Sequence, residues 1–371
     1  TGRTALAKNI EVEDTGVGVN GAIAAVSGVV PVTINGTLDF EGIAYTNPVR
    51  HSVFLSEENN PGVREINLAT GLALQTVAIP SVFTSHKRAN RGFESLARSQ
   101  DGTVMWTANE AALTVDGPLA TAAAGTVVRL LRLDVNGNSV AAGSQFAYQV
   151  EPIHGSSSFG SPQSGLSELT LLPDGTLLAV ERSVALTSPL YLNRIYAVDF
   201  DGATDVSVGP LAAGLTGQTY APVSKQLLWS GAVDGASGQN MEGLALGPQL
   251  AGGAWGLIGV VDNQGGGDPV SGNTVVAFVA TPQTTADFNA DGIVDGADLL
   301  AWQRGLGRVV GASLADGDGN RDGAVDAADL AIWQGAYAPT VAASAPEPSA
   351  GALLGAALIV ASWRRRTPAT S

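Results

Sequence analysis

Phe93-Glu94-Ser95-Leu96-Ala97 leads into the pair Asp101-Gly102 and then into the run Thr103–Glu110. An Asp-Gly pair between two β-type runs marks a tight hairpin turn. The same opening recurs as Phe40-Glu41-Gly42-Ile43-Ala44, Ser167-Glu168-Leu169-Thr170 and Met241-Glu242-Gly243-Leu244-Ala245. Each copy precedes a β-type run that ends in an acid: Val53–Glu57, Thr176–Glu181 and Trp255–Asp262. A third run follows in each unit, at 64–71, 130–137, 195–202 and Thr274–Val279.

Repeated antiparallel units with almost no helical periodicity stack radially, as blades of a β-propeller. The units start at 41, 94, 168 and 242, so they lie 53, 74 and 74 residues apart. A blade takes ~40–50 residues. The extra length therefore predicts five or six blades within residues 1–280, and the segment Gly21–Leu38 is a candidate strand to close the ring. The fold class is mainly β.

Composition narrows the function. Glycine supplies 47 of 371 residues and lacks the three-residue period of collagen. Apolar residues make up 45%, enough to bury a large core. The net charge of −15 argues against a nucleic-acid partner, because a protein must carry cations to displace those condensed on phosphates. The absence of cysteine excludes thiolate metal sites, thiol nucleophiles and disulfides. The chain starts at Thr1 without an apolar leader and reads as a processed or truncated form.

The first strand of a propeller blade lines the central channel, so Glu41, Glu94, Glu168 and Glu242 converge there from different blades. Four like charges in one mouth cannot all stay ionised without a cation among them. Oxygen-only ligands select calcium or magnesium over zinc. A second reading stands beside this one: each glutamate latches onto backbone amides of the adjacent blade. The strand-ending acids Glu57, Glu110, Glu181 and Asp262 fall near the same rim. Beside Glu94 lies a basic stretch that includes Lys87, Arg88 and Arg91, a candidate anion site suited to phosphate. Its alternative is a solvated loop paired with the acidic rim.

Residues 281–286 read as a linker to an Asp-rich module at 287–338. Asp287, Asn289, Asp291, Asp295 and Asp298 stand at positions 1, 3, 5, 9 and 12 of a loop, with Gly292 at position 6. Asp318, Asn320, Asp322, Asp326 and Asp329, with Gly323, repeat the pattern 31 residues later. That is calcium-loop spacing, with the carbonyls of Ile293 and Ala324 at position 7. Position 12 is Asp, shorter in reach than the usual Glu. A short amphipathic helix follows each loop, with Leu299 and Trp302 matched by Leu330 and Trp333, and no helix precedes either one. This loop–helix pair resembles a type I dockerin, an EF-hand-like module, and the resemblance implies a cohesin-like protein partner. Ala297-Asp298 and Ala328-Asp329 stand where dockerins carry partner-reading residues.

A Pro/Ala linker at 339–349 leads to a tail at 346–371. Pro346-Glu347-Pro348, an apolar run from Ala350 to Trp363 and Arg364-Arg365-Arg366 follow in order. As a helix the run spans about 21 Å, short of a ~30 Å hydrocarbon core. The order resembles a PEP-CTERM sorting signal. It implies recognition by an exosortase, export, an extracellular or cell-surface location, and transient residence of a short apolar helix in the membrane.

The motifs Asn90–Ala97, Gly165–Glu168 with Leu172–Gly175, Glu181–Ser183 with Arg194–Tyr196, and Asn240–Ala245 with Val261–Asn263 resemble the esterase-like phytase family over about 240 residues. That family is similar to β-propeller phytases, which implies calcium-assisted hydrolysis of phosphate esters. By resemblance, Glu94, Glu168, Glu242 and Arg91 fall on motif positions and are the candidate catalytic residues; the basic stretch adds Lys87 and Arg88 to Arg91 as candidate substrate contacts. The motif around Glu41 lacks an equivalent Arg, and Ser95 stands where Gly is more usual.

Other motifs carry less. The glycines at Gly16, Gly18 and Gly21 follow no apolar strand and read as a loop. His51, His86 and His154 are isolated, and no Gly-x-Ser-x-Gly elbow offers a nucleophile. The sequence thus predicts an exported, calcium-dependent phosphoesterase acting on a small phosphate ester. The alternative is a non-catalytic propeller that binds a surface ligand or matrix polymer.

Overall fold

The computed structural model describes residues 10–18, 38–156, 164–233, 238–250, 254–262, 275–282, 284–309 and 311–337. The tail and most of Gly21–Leu38 lie outside them. Blade 1 holds β2 (Phe40–Tyr45), β3 (Ser52–Glu57), β4 (Gly62–Asn67) and β5 (Ala73–Val77). Blade 2 holds β6 (Ala97–Arg98), β7 (Val104–Ala108), β8 (Thr126–Asn136) and β9 (Ser139–Val150). Blade 3 holds β10 (Ser164–Leu171), β11 (Leu177–Val184), β12 (Tyr191–Asp199) and β13 (Ser224–Gly231). Blade 4 holds β14 (Asn240–Gln249), β15 (Trp255–Asp262) and β16 (Val275–Pro282), and takes β1 (Ile10–Gly18) as its outer strand.

The described residues therefore form four antiparallel sheets in a propeller-like arrangement, where the spacing predicted five or six. The extra length goes into β8 and β9, of 11 and 12 residues, and into connections such as 109–125 and 200–223. An N-terminal strand does complete a sheet, but it is β1, upstream of the segment named for that role. β16 runs through Pro282, into the stretch read as a linker. The turns at Gly102 and Gly175 have φ of 74° and 85°, as their Asp-Gly sequences require.

Apolar side chains on both faces of the strands seal one blade to the next. Phe54, Phe83, Phe93, Met105 and Leu131 pack in one cluster with parts of blades 1 and 2. Trp106, Leu130, Tyr148, Leu166 and Leu177 join blades 2 and 3. Leu178, Ile195, Met241 and Phe278 join blades 3 and 4. Every residue of β11 is buried, the apolar run Leu177–Val180 and the polar Glu181, Arg182 and Ser183 alike.

The C-terminal module contains two loop–helix units. After a short helix α1 (Ser81–Ser85) near blade 1, its helices are α2 (Gly296–Gly305) and α3 (Ala327–Ala336). Asp295 and Asp326 cap them, with Asp298 and Asp329 completing capping boxes. Trp302 Nε1 donates to the carbonyl of Asp326 at 2.7 Å, and Trp333 Nε1 to that of Asp295 at 2.9 Å. Phe288, Trp302, Val325 and Trp333 form the module's core. Arg321 reaches Asp174 in the β10–β11 turn at 3.5 Å, so the second loop rests against blade 3. Among the described residues no helix is long and apolar enough to cross a membrane.

Candidate functional site

Strand pairing puts the four motif copies into a common register. Phe40, Phe93, Leu166 and Met241 lie opposite Glu57, Asn109, Glu181 and Val261. One extra residue then bulges from the inner strand in each blade before pairing resumes at Ile43, Ala97, Glu168 and Gly243. Glu41, Glu94 and Glu242 thus share one position, and blade 3 places Ser167 there. Glu168 is one residue out of step, at the position held elsewhere by Gly42, Ser95 and Gly243.

The offset gives Glu168 a different job. Its carboxylate takes the backbone N–H of Leu169 at 2.8 Å and faces the amides of Leu96 and Leu244. It therefore ties blade 3 to blades 2 and 4, as the latch reading expected, and stands apart from the other acids. Burial pushes its carboxyl up to about 8, against the pull of the three amides.

A second ring follows from the same register. The residues one position beyond those partners are Glu58, Glu110, Arg182 and Asp262. Glu58 N–H donates to the Asp39 carbonyl at 3.0 Å, and Glu110 N–H to that of Gly92 at 2.9 Å. Each side chain lies against the next blade. A Cβ on Gly92 would stand 2.0 Å from the Glu58 carbonyl oxygen, and one on Gly165 2.6 Å from Glu110 Cγ. These two glycines are where neighbouring blades approach most closely around the acids.

Blades 1 and 2 gather the carboxylates. Ligand oxygens of Glu58, Glu94 and Glu110 lie within 4.8 Å of one another, as do those of Asp39, Glu41 and Glu58. Glu58 is 3% exposed, and its Oε1 has no hydrogen-bond partner. Burial, Glu110 and Glu58 together hold the Glu94 carboxyl well above its ordinary range. Burial also raises the Glu58 carboxyl, although a hydrogen bond from Glu94 opposes it. Blade 3 supplies a cation in place of an acid. Arg182 bonds Glu110, and Glu242 at 2.9 Å. Burial works against the Arg182 charge, but Glu110, Glu242 and Glu94 outweigh it and raise its pKa. Arg91 pairs with the other oxygen of Glu110 at 2.6 Å. The carboxylate trios therefore lie where blades 1 and 2 meet, and Arg182 links them to blades 3 and 4.

The family model for phytase-like proteins, described as the esterase-like activity of phytase, matches residues 14–265. The chain belongs to this phytase-like family. No curated protein matches it. Among solved structures it is similar to the PQQ-bound aldose sugar dehydrogenase of Streptomyces coelicolor, at 13% identity, covering 74% of this chain and 99% of that one, with a TM-score of 0.30. It is also similar to the major Malassezia sympodialis allergen Mala s 1, at 10% identity, covering 65% of this chain and 93% of that one, with a TM-score of 0.29. Scores of this size carry no argument about the phytase-like chain.

The phytase-like motifs now have places. Arg91, Glu94 and Glu242 border the acidic cluster, and Glu41 joins it from blade 1. Lys87 is half-buried, whereas the Arg88 guanidinium is committed to the carbonyls of Ala112 and Gly117 at 2.9 and 3.0 Å. Arg88 is thus a brace for the 109–117 connection. Glu57 pairs with Arg64 at 3.3 Å, and Glu181 with Lys225 and, at 2.8 Å, Tyr148, so both are held within their own blades or seams. Asp262 ends β15, and its side chain lies outside the described residues. Glu58 and Arg182 had no assigned role in the sequence reading. The Glu57-Glu58 doublet was the available signal, since successive strand residues face opposite ways and only the second of the two reaches the rim.

These residues fit a hard divalent cation. The donors are all carboxylate oxygens, they converge, and one buried oxygen has no protein partner. The loops at 287–298 and 318–329 are also arranged around backbone amides. Asp287 accepts from Asp291 and Gly292 at 3.1 and 2.8 Å, and Asp318 from Asp322 and Gly323 at 3.1 and 2.9 Å. Asp298 and Asp329 each bond the amides at loop positions 2, 3 and 9. Their carboxylates thereby tie the two ends of each loop together.

Proposed function

We propose that this phytase-like propeller hydrolyses phosphate esters with the help of a divalent cation, calcium by donor chemistry, held by Glu58, Glu94 and Glu110. The observation that carries the reading is the buried, unpartnered Glu58 Oε1 within a carboxylate trio whose oxygens lie within 4.8 Å of one another. A cation there supplies charge neutralisation and polarises a phosphoryl oxygen. Arg91 and Arg182 place positive charge beside the cluster, against Glu110, suited to steadying a phosphate. Glu110, bonded by both, fixes their positions.

The C-terminal module, on this reading, binds calcium through both loops and presents a dockerin-like face to a cohesin-like protein. The tail acts as a sorting signal for an exosortase and makes the protein an exported, cell-surface one. A non-catalytic surface- or matrix-binding propeller is the second reading. It is favoured by Glu168, whose bonds latch three blades together without a ligand.

The test is phosphate release from phytate and from a simple aryl phosphate by the full chain, titrated with calcium and then with a chelator. Calcium-dependent release that falls at least tenfold in Glu94→Gln supports the proposal. No release from folded, calcium-loaded protein overturns it and favours the binding propeller. The C-terminal loops are intact in both proteins, so their calcium does not confuse the comparison.

A further inference from the structure

The seam between blades 1 and 2 has a second end. Phe40 pairs with Glu57 at the acidic end of blade 1, and Tyr45 pairs with Val53 at the other. The length of β2 separates the two, about 16 Å at roughly 3.3 Å per residue. At this far end the β2–β3, β6–β7 and β8–β9 turns border a cavity of about 620 Å³. Asn47, Arg50, Phe54, Gln75, Arg98 and Asn138 stand in its wall.

The two arginines differ. Arg50 is spent on Glu65, which is fully buried and also accepts from Ser52 at 2.5 Å and Gln75 at 2.7 Å. Arg98 forms no ion pair among the described residues. It donates to the carbonyls of Thr46 at 3.0 Å, Gly102 at 3.4 Å and Tyr45 at 3.5 Å. A guanidinium has five N–H donors, so these bonds leave it unsatisfied, and its Nε is buried without a partner. Gly102 makes room for it, since a Cβ there would stand 2.0 Å from Arg98 Nη2. Asp101 shares the wall, but its carboxylate accepts from Ser99 and Thr103 of its own turn. Burial lowers the Arg98 pKa, and the charges of Asp101 and Glu65 do not restore it. A half-buried cation without a counterion is costly, and an anion arriving from outside offsets that cost.

Amides flank the arginine. Asn47 Oδ1 accepts the N–H groups of Val49 and Arg50 at 3.0 and 2.8 Å, and Asn138 Oδ1 accepts from Arg50. Each of these side chains keeps its NH₂ group for another acceptor. Phe54 adds an apolar patch to the wall.

We infer that this cavity binds an acidic sugar, with its oxyanion on Arg98, its hydroxyls on Asn47 and Asn138, and its ring carbons toward Phe54. The site lies at the opposite end of the blades from Glu58, Glu94 and Glu110, and it does not depend on the cation reading given above.

The experiment is calorimetric titration of the calcium-loaded full chain with glucuronate, a phosphorylated glucose and glucose itself. At least one of the two acids is expected to bind about tenfold or more tightly than glucose, the difference that a hydrogen-bonded charge makes. Preference for glucuronate assigns a carboxylate, and preference for the phosphorylated sugar a phosphate. Binding of the preferred acid is expected to weaken about tenfold or more in Arg98→Gln and in Asn138→Asp, which sets a carboxylate against the incoming oxyanion. Should Arg98→Gln unfold for want of its carbonyl bonds, Asn138→Asp, at an exposed turn position, decides alone. Glucose bound as tightly as either acid, acid binding unchanged in a folded variant, or no binding of any of the three overturns the inference.

Discussion

The propeller and the C-terminal module are both built from sequence repeats, but they treat their symmetry differently. In the module the two units repeat the same loop and cap hydrogen bonds. Ala290 and Arg321 are left-handed at φ 59° and 57°, Gly292 and Gly323 share φ 85°, and each tryptophan donates to the other unit's loop. In the propeller the third blade departs from the other three. Ser167 replaces a motif glutamate, Glu168 moves into the place of a glycine or serine, and Arg182 replaces an acid. A preserved repeat spreads one structural task evenly. A broken repeat concentrates charge on one side, and here it leaves the carboxylates gathered between blades 1 and 2 with a cation opposite them.

The sharpest way to break this contrast is Arg182→Met. It leaves Glu110, almost wholly buried, with Arg91 as its remaining described cation and takes the Arg182 pair from Glu242. Removing one member of a buried pair costs about 3–5 kcal/mol. Chemical denaturation should show a loss of that size, with part of it recovered on adding calcium. A loss under ~1 kcal/mol, by the standard of exposed pairs, means that Arg182 does not anchor the broken blade.

Next comes Gly165→Ala, which sets a Cβ against Glu110 and is expected to cost about 1–3 kcal/mol by overpacking. Gly296→Ala at the start of α2 meets nothing within 4 Å and is expected to be neutral or mildly stabilising. Equal melting temperatures for the two variants would erase the difference in packing.

The pH dependence sharpens the role of Glu168. Its folded pKa, about 8, lies above its ordinary value, so the unfolded chain ionises first. Its contribution is therefore complete at acid pH and is lost as pH rises from the ordinary carboxyl range to about 8, at no more than ~1.4 kcal/mol per pH unit. Glu168→Gln should flatten the stability profile across that window, and an unchanged slope would assign the effect to another group. The smallest expected effect belongs to the module. Trp302→Phe and Trp333→Phe each remove one hydrogen bond and should cost about 1 kcal/mol apiece, equally. Unequal losses would show that the two units are not interchangeable.

Much of this was legible before the fold was known. The Phe-Glu openings, the Asp-Gly turns and the acid-ended runs delineate the four sheets, because turn chemistry and alternation are local. The two Asp-rich loops and the helices after them were equally plain, since the residues of each lie close together along the chain. What stayed hidden was register. A bulge adds one residue without altering composition, so Glu168 looked like Glu94 although its carboxylate points to amides. Blade number was hidden because long strands and connections consume residues as a further blade does. Glu58 and Arg182 were hidden because their neighbours lie in other blades, a relation that spacing along the chain does not carry.

The most direct test sets Glu94→Gln against Glu168→Gln in calcium-dependent phosphate release from an aryl phosphate. A site at the Glu58–Glu94–Glu110 cluster predicts at least a tenfold loss of kcat for Glu94→Gln and a change within about threefold for Glu168→Gln once both are folded. Equal, severe losses in both, or a loss confined to Glu168→Gln, would place Glu168 in the chemistry and contradict the account.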